Sequence, residues 1–124
     1  MNILITGGSG LLASRLAEKM SHQHQITLVS RKKIRPLDDI KVQYIKSYSD
    51  IELNNQDIVI HAASPNSNDC RESSIVEEYL SHTKKIISEA SNQKIKKVIF
   101  TSSTRVYGNI AGNIDEENHC KGID

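Results

Sequence analysis

The chain has 124 residues, of which 37% are hydrophobic, and its formal net charge is +1. This length suits one domain with one core, and no apolar run approaches the roughly 18 residues that a membrane span needs. A net charge so close to zero gives no overall field that would recruit nucleic acid or an anionic membrane, so neither is expected as a partner.

The first residues lack the pattern of a secretory signal, and the two cysteines, Cys70 and Cys120, fit no metal or redox spacing. We therefore expect a cytoplasmic protein with reduced thiols and no metal site.

Short apolar runs alternate with helical patterns along the chain. Asn2 to Thr6 predicts a first strand, and the spacing of the apolar residues between Leu11 and Met20 predicts a helix after it. Four more strands are predicted at 26–29, 42–45, 57–61 and 97–101, and a longer helix at 71–92. The tail, residues 107–124, is predicted to be a loop.

The order of these elements predicts the fold class. Continuous apolar strands separated by helices indicate an α/β protein with a parallel sheet covered on both faces. Right-handed crossovers favour a doubly wound (Rossmann) sheet with the strand order 3-2-1-4-5. The inward face of the long helix is predicted to contain Ile75, Val76, Tyr79, Leu80, Thr83, Ile86, Ile87 and Ala90.

A glycine-rich segment, Thr6-Gly7-Gly8-Ser9-Gly10-Leu11-Leu12-Ala13, joins the first strand to the first helix. Glycine allows a tight turn and a close approach to a pyrophosphate, and the helix start beyond it offers free N–H groups. We therefore predict that Gly7, Ser9, Gly10, Leu11 and Leu12 bind a dinucleotide. The alternative is an ordinary turn between a strand and a helix.

Three segments together resemble one family. The glycine segment is similar to the Thr-Gly-x-x-Gly-x-x-Gly fingerprint of the extended short-chain dehydrogenases, with alanine in the third glycine position. Residues 57–64 resemble that family's fourth strand, and residues 97–108 its fifth strand with the Ser-Ser-x-x-Val-Tyr-Gly continuation. The resemblance covers nearly all of residues 1–108. It implies the N-terminal, NAD(P)-binding portion of a sugar-nucleotide-modifying enzyme of the epimerase/dehydratase type.

The resemblance also implies roles for residues outside the glycine segment. Small residues after the fourth strand would leave room for the nicotinamide ribose, so Ala62, Ala63, Ser64 and Thr101 are expected to lie beside the cofactor. In the long helix the match is partial, since Tyr79 and His82 stand where the family often has asparagine and glycine.

For catalysis the resemblance points to Ser103, three residues before the valine of Val-Tyr-Gly, as the hydroxyl that holds the reacting oxygen. The alternative for Ser103 is a hydroxyl that caps the end of a strand. The family's Tyr-x-x-x-Lys pair is absent, because no lysine lies four residues after any tyrosine. The Asp-Glu pair of sugar dehydratases is replaced by Thr104 and Arg105, so an epimerase or a reductase is favoured over a dehydratase.

The end of the second strand bears on the choice of cofactor. An acidic residue there would hold the ribose hydroxyl of NAD, but the strand runs into Ser30 and Arg31 instead. A hydroxyl and a guanidinium suit a 2′-phosphate, so we predict NADP as the preferred cofactor with NAD as possible. The alternative is a solvated basic loop.

Taken together, residues 1–124 are predicted to be an incomplete dinucleotide-binding Rossmann domain that ends before the remaining strands and the substrate domain. Such a chain should bind cofactor without turnover, and a nucleotide-sugar would bind only in a full-length form. A cofactor-sensing or interaction module, or a truncated gene product without function, remain as alternatives. A fifth strand at the sheet edge, with Val98, Ile99 and Phe100 uncovered, predicts self-association. The alternative is that the tail, residues 107–124, covers this edge, but it has few large aliphatic residues.

Overall fold

The computed structural model describes residues 1–35, 37–64, 73–102 and 112–119, with only the backbone of residue 73. Its strands are β1 (Asn2–Thr6), β2 (Gln25–Ser30), β3 (Ile40–Tyr44), β4 (Ile58–His61) and β5 (Lys97–Phe100). Two α-helices, α1 (Leu11–Met20) and α2 (Ser73–Asn92), and a 3-10 helix at Tyr48–Asp50 complete the described elements. The 3-10 helix is absent from the sequence-based prediction, and the other elements agree with it to within two residues.

The five strands form one parallel sheet in the order β3-β2-β1-β4-β5, which confirms the predicted Rossmann topology. β1 lies in the centre, and its residues Ile3, Leu4 and Ile5 are at most 1% exposed. Because all strands are parallel, their carboxyl ends meet at one edge of the sheet, and the described residues that directly follow β1, β2, β3 and β4 come together there.

Each face of the sheet carries its own apolar cluster. On the α1 face, Ala13 and Ala17 of the helix pack with Ile3, Ile5 and Leu28 of the sheet. On the α2 face, Ile86 and Ala90 pack with Leu4 and Val59. Tyr48 of the 3-10 helix, and Ile51 and Leu53 after it, belong to the same cluster on that face. These two layers of side chains hold the sheet between its helices.

The face of α2 that packs on the sheet is narrower than predicted. Ile86 and Ala90 are buried, but Val76, Leu80 and Ile87 are 37%, 50% and 54% exposed, so their assignment to the inward face is wrong. A helix that packs on a sheet buries a stripe about 100° wide. Each of these three residues follows directly after a residue of that stripe in the sequence, and therefore lies outside it.

The part of the tail that the structure describes, residues 112–119, contains a turn and no helix or strand. Among the described residues, neither helix is long and apolar enough to cross a membrane.

Candidate functional site

The glycine segment turns sharply at the carboxyl end of β1. Gly7 has a φ of +78°, in the left-handed region that favours glycine, and a Cβ there would lie 2.9 Å from the Ala63 nitrogen. The Gly8 nitrogen donates to the Val29 oxygen at 2.8 Å, and the Gly10 nitrogen donates to the Gly7 oxygen at 2.7 Å. These contacts fix the loop between the ends of β2 and β4.

Helix α1 begins directly after this loop. Gly10 is its N-cap residue and offers no side chain to cap it, and the first intrahelical bond runs from the Ser14 nitrogen to the Gly10 oxygen. The N–H groups of the first turn are therefore left for an external acceptor, and the positive end of the helix dipole favours an anion there.

A cavity of about 410 Å³ opens beside the glycine loop. Its walls come from the ends of β1, β2 and β4, from the 3-10 helix and from the first turns of α2. The lining residues are Gly7, Ser9, Gly10, Ser30, Arg31, Lys32, Tyr48, Ala62, Ala63, Ser64, Ile75 and Glu78. This volume is within the range of small-molecule sites, and two cations against one carboxylate suit an anionic ligand.

Arg31 lies at the end of β2, where a local turn fixes its backbone. The Ser30 hydroxyl donates to the Lys32 oxygen at 2.7 Å and accepts from the Lys32 nitrogen at 3.2 Å. Ser30 is only 2% exposed and lines the cavity, with its hydroxyl engaged in this local turn. Arg31 is exposed, and its guanidinium carbon lies 5.6 Å from the centre of the Tyr48 ring.

Tyr48 is 5% exposed and forms part of the cavity wall. Its ring meets the His61 ring edge-on at 6.2 Å and lies 5.1 Å from the His82 ring. Burial raises the pKa of the Tyr48 hydroxyl, and the Arg31 cation and a hydrogen bond with the Gly7 backbone offset this only in part. The hydroxyl therefore stays protonated under ordinary conditions.

A chain of buried hydrogen bonds runs beneath the cavity. The Ala63 nitrogen donates to the Thr6 hydroxyl at 3.2 Å, and that hydroxyl lies 2.7 Å from Nδ1 of His61. On the other side, Nε2 of His61 lies 3.0 Å from the Thr83 hydroxyl, which donates to the Tyr79 oxygen. Each hydroxyl can donate only once, so every group is satisfied when His61 is neutral and protonated on Nε2.

Tyr79 closes the same network from α2. Its hydroxyl donates to the Ala63 oxygen at 2.9 Å, and its ring stacks on the His61 ring at 5.8 Å. Tyr79 thus contacts the backbone at the end of β4 from the position where the family often has asparagine. Burial raises the pKa of Tyr79, so this hydroxyl also stays protonated.

A comparison with models of known families shows which family this chain belongs to. The model of the NAD-dependent epimerase/dehydratase family matches residues 3–122, nearly the whole chain. The chain belongs to this family. No curated protein matches the chain.

Solved structures of epimerases share the fold. A UDP-N-acetylglucosamine 4-epimerase from Methanobrevibacter ruminantium, in complex with UDP-N-acetylmuramic acid, has 22% identity and a TM-score of 0.82 over 98% of this chain and 44% of its own. A UDP-glucose 4-epimerase from Bifidobacterium longum, in complex with NAD+ and UDP, has 24% identity and a TM-score of 0.80 over 98% and 43%. A UDP-glucuronic acid 4-epimerase from Bacillus cereus, in complex with NAD, has 17% identity and a TM-score of 0.79 over 100% and 47%. The chain spans less than half the length of each.

The structure brings together most of the cofactor residues predicted for this epimerase/dehydratase family member. Gly7, Ser9, Gly10, Ser30, Arg31, Ala62, Ala63 and Ser64 all line the one cavity of about 410 Å³. Leu11 and Leu12 do not line it, and their side chains are 76% and 50% exposed on the first turn of α1. Thr101 does not line it either, and its nitrogen and hydroxyl both donate to the His61 oxygen. Ser103, the predicted catalytic hydroxyl, lies outside the described residues.

Four residues of the cavity wall are absent from the predicted site of this family member: Lys32, Tyr48, Ile75 and Glu78. Tyr48 follows β3, and residues just after a strand of a parallel sheet lie at the edge where ligands bind. That position is a signal in the sequence, because it places the third loop beside the glycine loop. Ile75 and Glu78 belong to α2, and their approach to the cavity depends on how that helix is placed on the sheet.

Proposed function

We propose that this chain is the dinucleotide-binding portion of a sugar-nucleotide epimerase or reductase. The observation that carries this proposal is the cavity of about 410 Å³ between the glycine loop, Arg31 and Ala62–Ser64. The open start of α1 suits the pyrophosphate, and the small residues at the end of β4 leave room for the nicotinamide ribose. The family match over residues 3–122 supports the same assignment.

The proposed substrate of the longer protein is a nucleotide-sugar. The epimerases from Methanobrevibacter and Bifidobacterium hold UDP-N-acetylmuramic acid and UDP, respectively. Their chains are more than twice as long as this one, so the proposed role of the present residues is to hold the cofactor. The cytoplasmic location expected from the sequence stays a prediction.

The proposed preferred cofactor is NADP. Arg31 and Lys32 lie on the cavity wall at the end of β2, where an acidic residue would favour NAD. The epimerases from Bifidobacterium and Bacillus hold NAD, so this preference is a departure from those two proteins. One charge-assisted contact with a 2′-phosphate is worth roughly 1.5–3 kcal/mol, so we expect NADP(H) to bind about tenfold or more tightly than NAD(H).

These 124 residues are proposed to bind cofactor without turnover. No tyrosine is followed by a lysine four residues later. In addition, Tyr48 and Tyr79, which lie at the site, have raised pKa values, whereas a tyrosine that abstracts a proton needs a lowered one.

A matched pair of variants at Gly10 tests the binding site. Gly10 has an extended backbone, with a φ of −89°, and its nearest neighbour for an added Cβ is the Gly7 oxygen at 3.1 Å. Gly10→Asp and Gly10→Asn add side chains of nearly the same shape, but only aspartate places a negative charge beside the pyrophosphate. We expect calorimetric titration with NADPH and NADH to show binding at least about tenfold weaker for Asp than for Asn. Equal affinities in the two variants would contradict the site.

The exposed fifth strand favours a second candidate, an interaction module that associates with other chains. Val98, Ile99 and Phe100 are 37%, 42% and 49% exposed, and in the described part of the chain no strand pairs with the outer side of β5. The coding sequence after codon 124 separates the candidates, since a Tyr-x-x-x-Lys motif and a substrate domain there would support the enzyme.

A further inference from the structure

The side chain of Arg31 is held against one aromatic ring. Its guanidinium carbon lies 5.6 Å from the centre of the Tyr48 ring, within the distance at which a cation and a ring attract each other. Among the residues that the structure describes, Arg31 makes no ion pair and no side-chain hydrogen bond. Within the part of the chain that the structure describes, the contact with the Tyr48 ring is therefore the one that orients this long, exposed side chain.

Tyr48 is fixed much more firmly than Arg31. The 3-10 helix that carries it is closed by a capping box, in which Ser47 and Asp50 exchange side-chain to backbone hydrogen bonds. The ring is 5% exposed and packs in the same cluster as Val29 and Ala63. The edge-on contact with His61 fixes its orientation further. A rigid ring beneath a flexible cation lowers the entropy that the cation loses when a ligand orders it.

Arg31 and Tyr48 share the cavity of about 410 Å³ with the glycine loop. A guanidinium in contact with a ring still has N–H groups free in its own plane, where they can bind two phosphate oxygens at once. The local turn made by Ser30 and Lys32 fixes the backbone on both sides of Arg31. The Arg31 cation is thus positioned at the cavity wall before a ligand binds.

We propose that Tyr48 is a specificity-determining positioning residue, whose ring holds the Arg31 guanidinium at the cavity so that it contacts the 2′-phosphate of NADP. This inference rests on the proposed dinucleotide site and adds to it the residue that makes the cation effective. Tyr48 acts through Arg31, so its loss should change the ratio of the NADPH and NADH affinities and not only the two affinities together.

The test compares NADPH and NADH titrations of the wild type with those of Tyr48→Leu and Tyr48→Phe. Phenylalanine keeps the ring and should keep the wild-type ratio of affinities, whereas leucine should lower the ratio about three- to fivefold through loss of the cation–ring contact. Tyr44→Leu is the matched control, because Tyr44 is 56% exposed and does not line the cavity. In an Arg31→Ala background, Tyr48→Leu should leave the ratio unchanged, since the partner is already absent.

Arg31→Lys gives a second test that does not alter the core, because residue 31 is exposed. Lysine keeps the charge but cannot stack as a plane, so the ratio should fall; Lys33→Arg, at a neighbouring exposed site outside the cavity wall, should leave it unchanged. An unchanged ratio in both Arg31→Lys and a folded Tyr48→Leu, against a wild type that prefers NADPH, would overturn this inference alone. A wild type that binds neither nucleotide would overturn the proposed function, and this inference with it.

Discussion

His61 shows how one neutral side chain joins three elements of the site. Its two ring nitrogens lie 2.7 Å and 3.0 Å from the hydroxyls of Thr6 and Thr83, and its ring stacks on Tyr79. The residue is 1% exposed. A second proton on the ring would disturb a network in which each hydroxyl already has a role, so the neutral ring belongs to the folded state.

This arrangement predicts a loss of stability in mild acid. Burial, with a smaller effect from His82, lowers the pKa of His61 from its ordinary value of 6.5. Between the folded and unfolded pKa values the unfolded chain binds more protons, so the free energy of unfolding is highest above pH 6.5 and falls as the pH decreases through that value. One such group changes this free energy by at most about 1.4 kcal/mol per pH unit.

Urea unfolding at several pH values would measure this dependence. His61→Leu should flatten the slope below pH 6.5 while lowering stability at all pH values, because Thr6 and Thr83 lose their partner. His22→Gln, at an exposed histidine, should keep the wild-type slope. A slope that is the same in wild type and in His61→Leu would show that another group is responsible.

At the residue scale, the sequence predicts the residues whose role follows from backbone geometry. Gly7 and Ala63 could be assigned to the site, because a strand end, a tight turn and a small neighbouring residue form a recognisable sequence pattern. Ser30 lines the cavity, but the partner of its hydroxyl could not be predicted, because it depends on the local turn that engages it with Lys32. Tyr48 was missed because aromatic residues after a strand more often pack in the core, and this one both packs there and lines the cavity.

At the scale of elements, α2 carries the main difference between prediction and structure. Its apolar residues extend around more of the helix than one sheet can cover, and a 3.6-residue period does not reveal which part of a broad stripe faces inward. Ile86 is fully buried, whereas its neighbour Ile87 is 54% exposed. The contact with the sheet, and not the hydrophobic pattern alone, decides between them.

This pair of neighbours gives a direct test of how α2 packs. Ile86→Ala should reduce the free energy of unfolding by about 2–5 kcal/mol, the usual cost of a large cavity in a core. Ile87→Ala removes the same atoms from an exposed site and should cost less than about 1 kcal/mol. Chemical denaturation of the two variants, monitored by circular dichroism, measures both values. Similar losses would mean that Ile87 is also covered in solution.

At the scale of the whole molecule, the fold could be predicted almost completely. Apolar strands without alternation require helices on both faces, and right-handed crossovers then allow few strand orders. The structure has the predicted order, β3-β2-β1-β4-β5. Only part of the cavity wall could be predicted. The topology determines where the strand ends lie, whereas the positions of α2 and the 3-10 helix depend on side-chain packing.

The same topology leaves an apolar strand at the edge of the sheet. β5 pairs with β4 on one side, and in the described ranges no other strand pairs with its second side. Ile99, paired with Ile60 in the sheet, is 42% exposed, and Phe100 is 49% exposed. An exposed edge with unpaired backbone groups and apolar side chains is a template for another chain, and the neighbouring Lys97 blunts it at one end only.

We therefore expect these 124 residues to self-associate through β5, and sedimentation at several concentrations would measure it. Ile99→Lys should shift the chain toward monomer, because a charge at an edge strand opposes pairing with a second copy. Ile87→Lys places the same charge on the exposed face of α2, where Ile87 is 54% exposed, and should leave the association unchanged. If Ile87→Lys dissociates the chain and Ile99→Lys does not, the interface lies on the helix. A wild type that remains monomeric well into the micromolar range would show that the edge is covered within one chain, since an open apolar edge gains by pairing as the concentration rises.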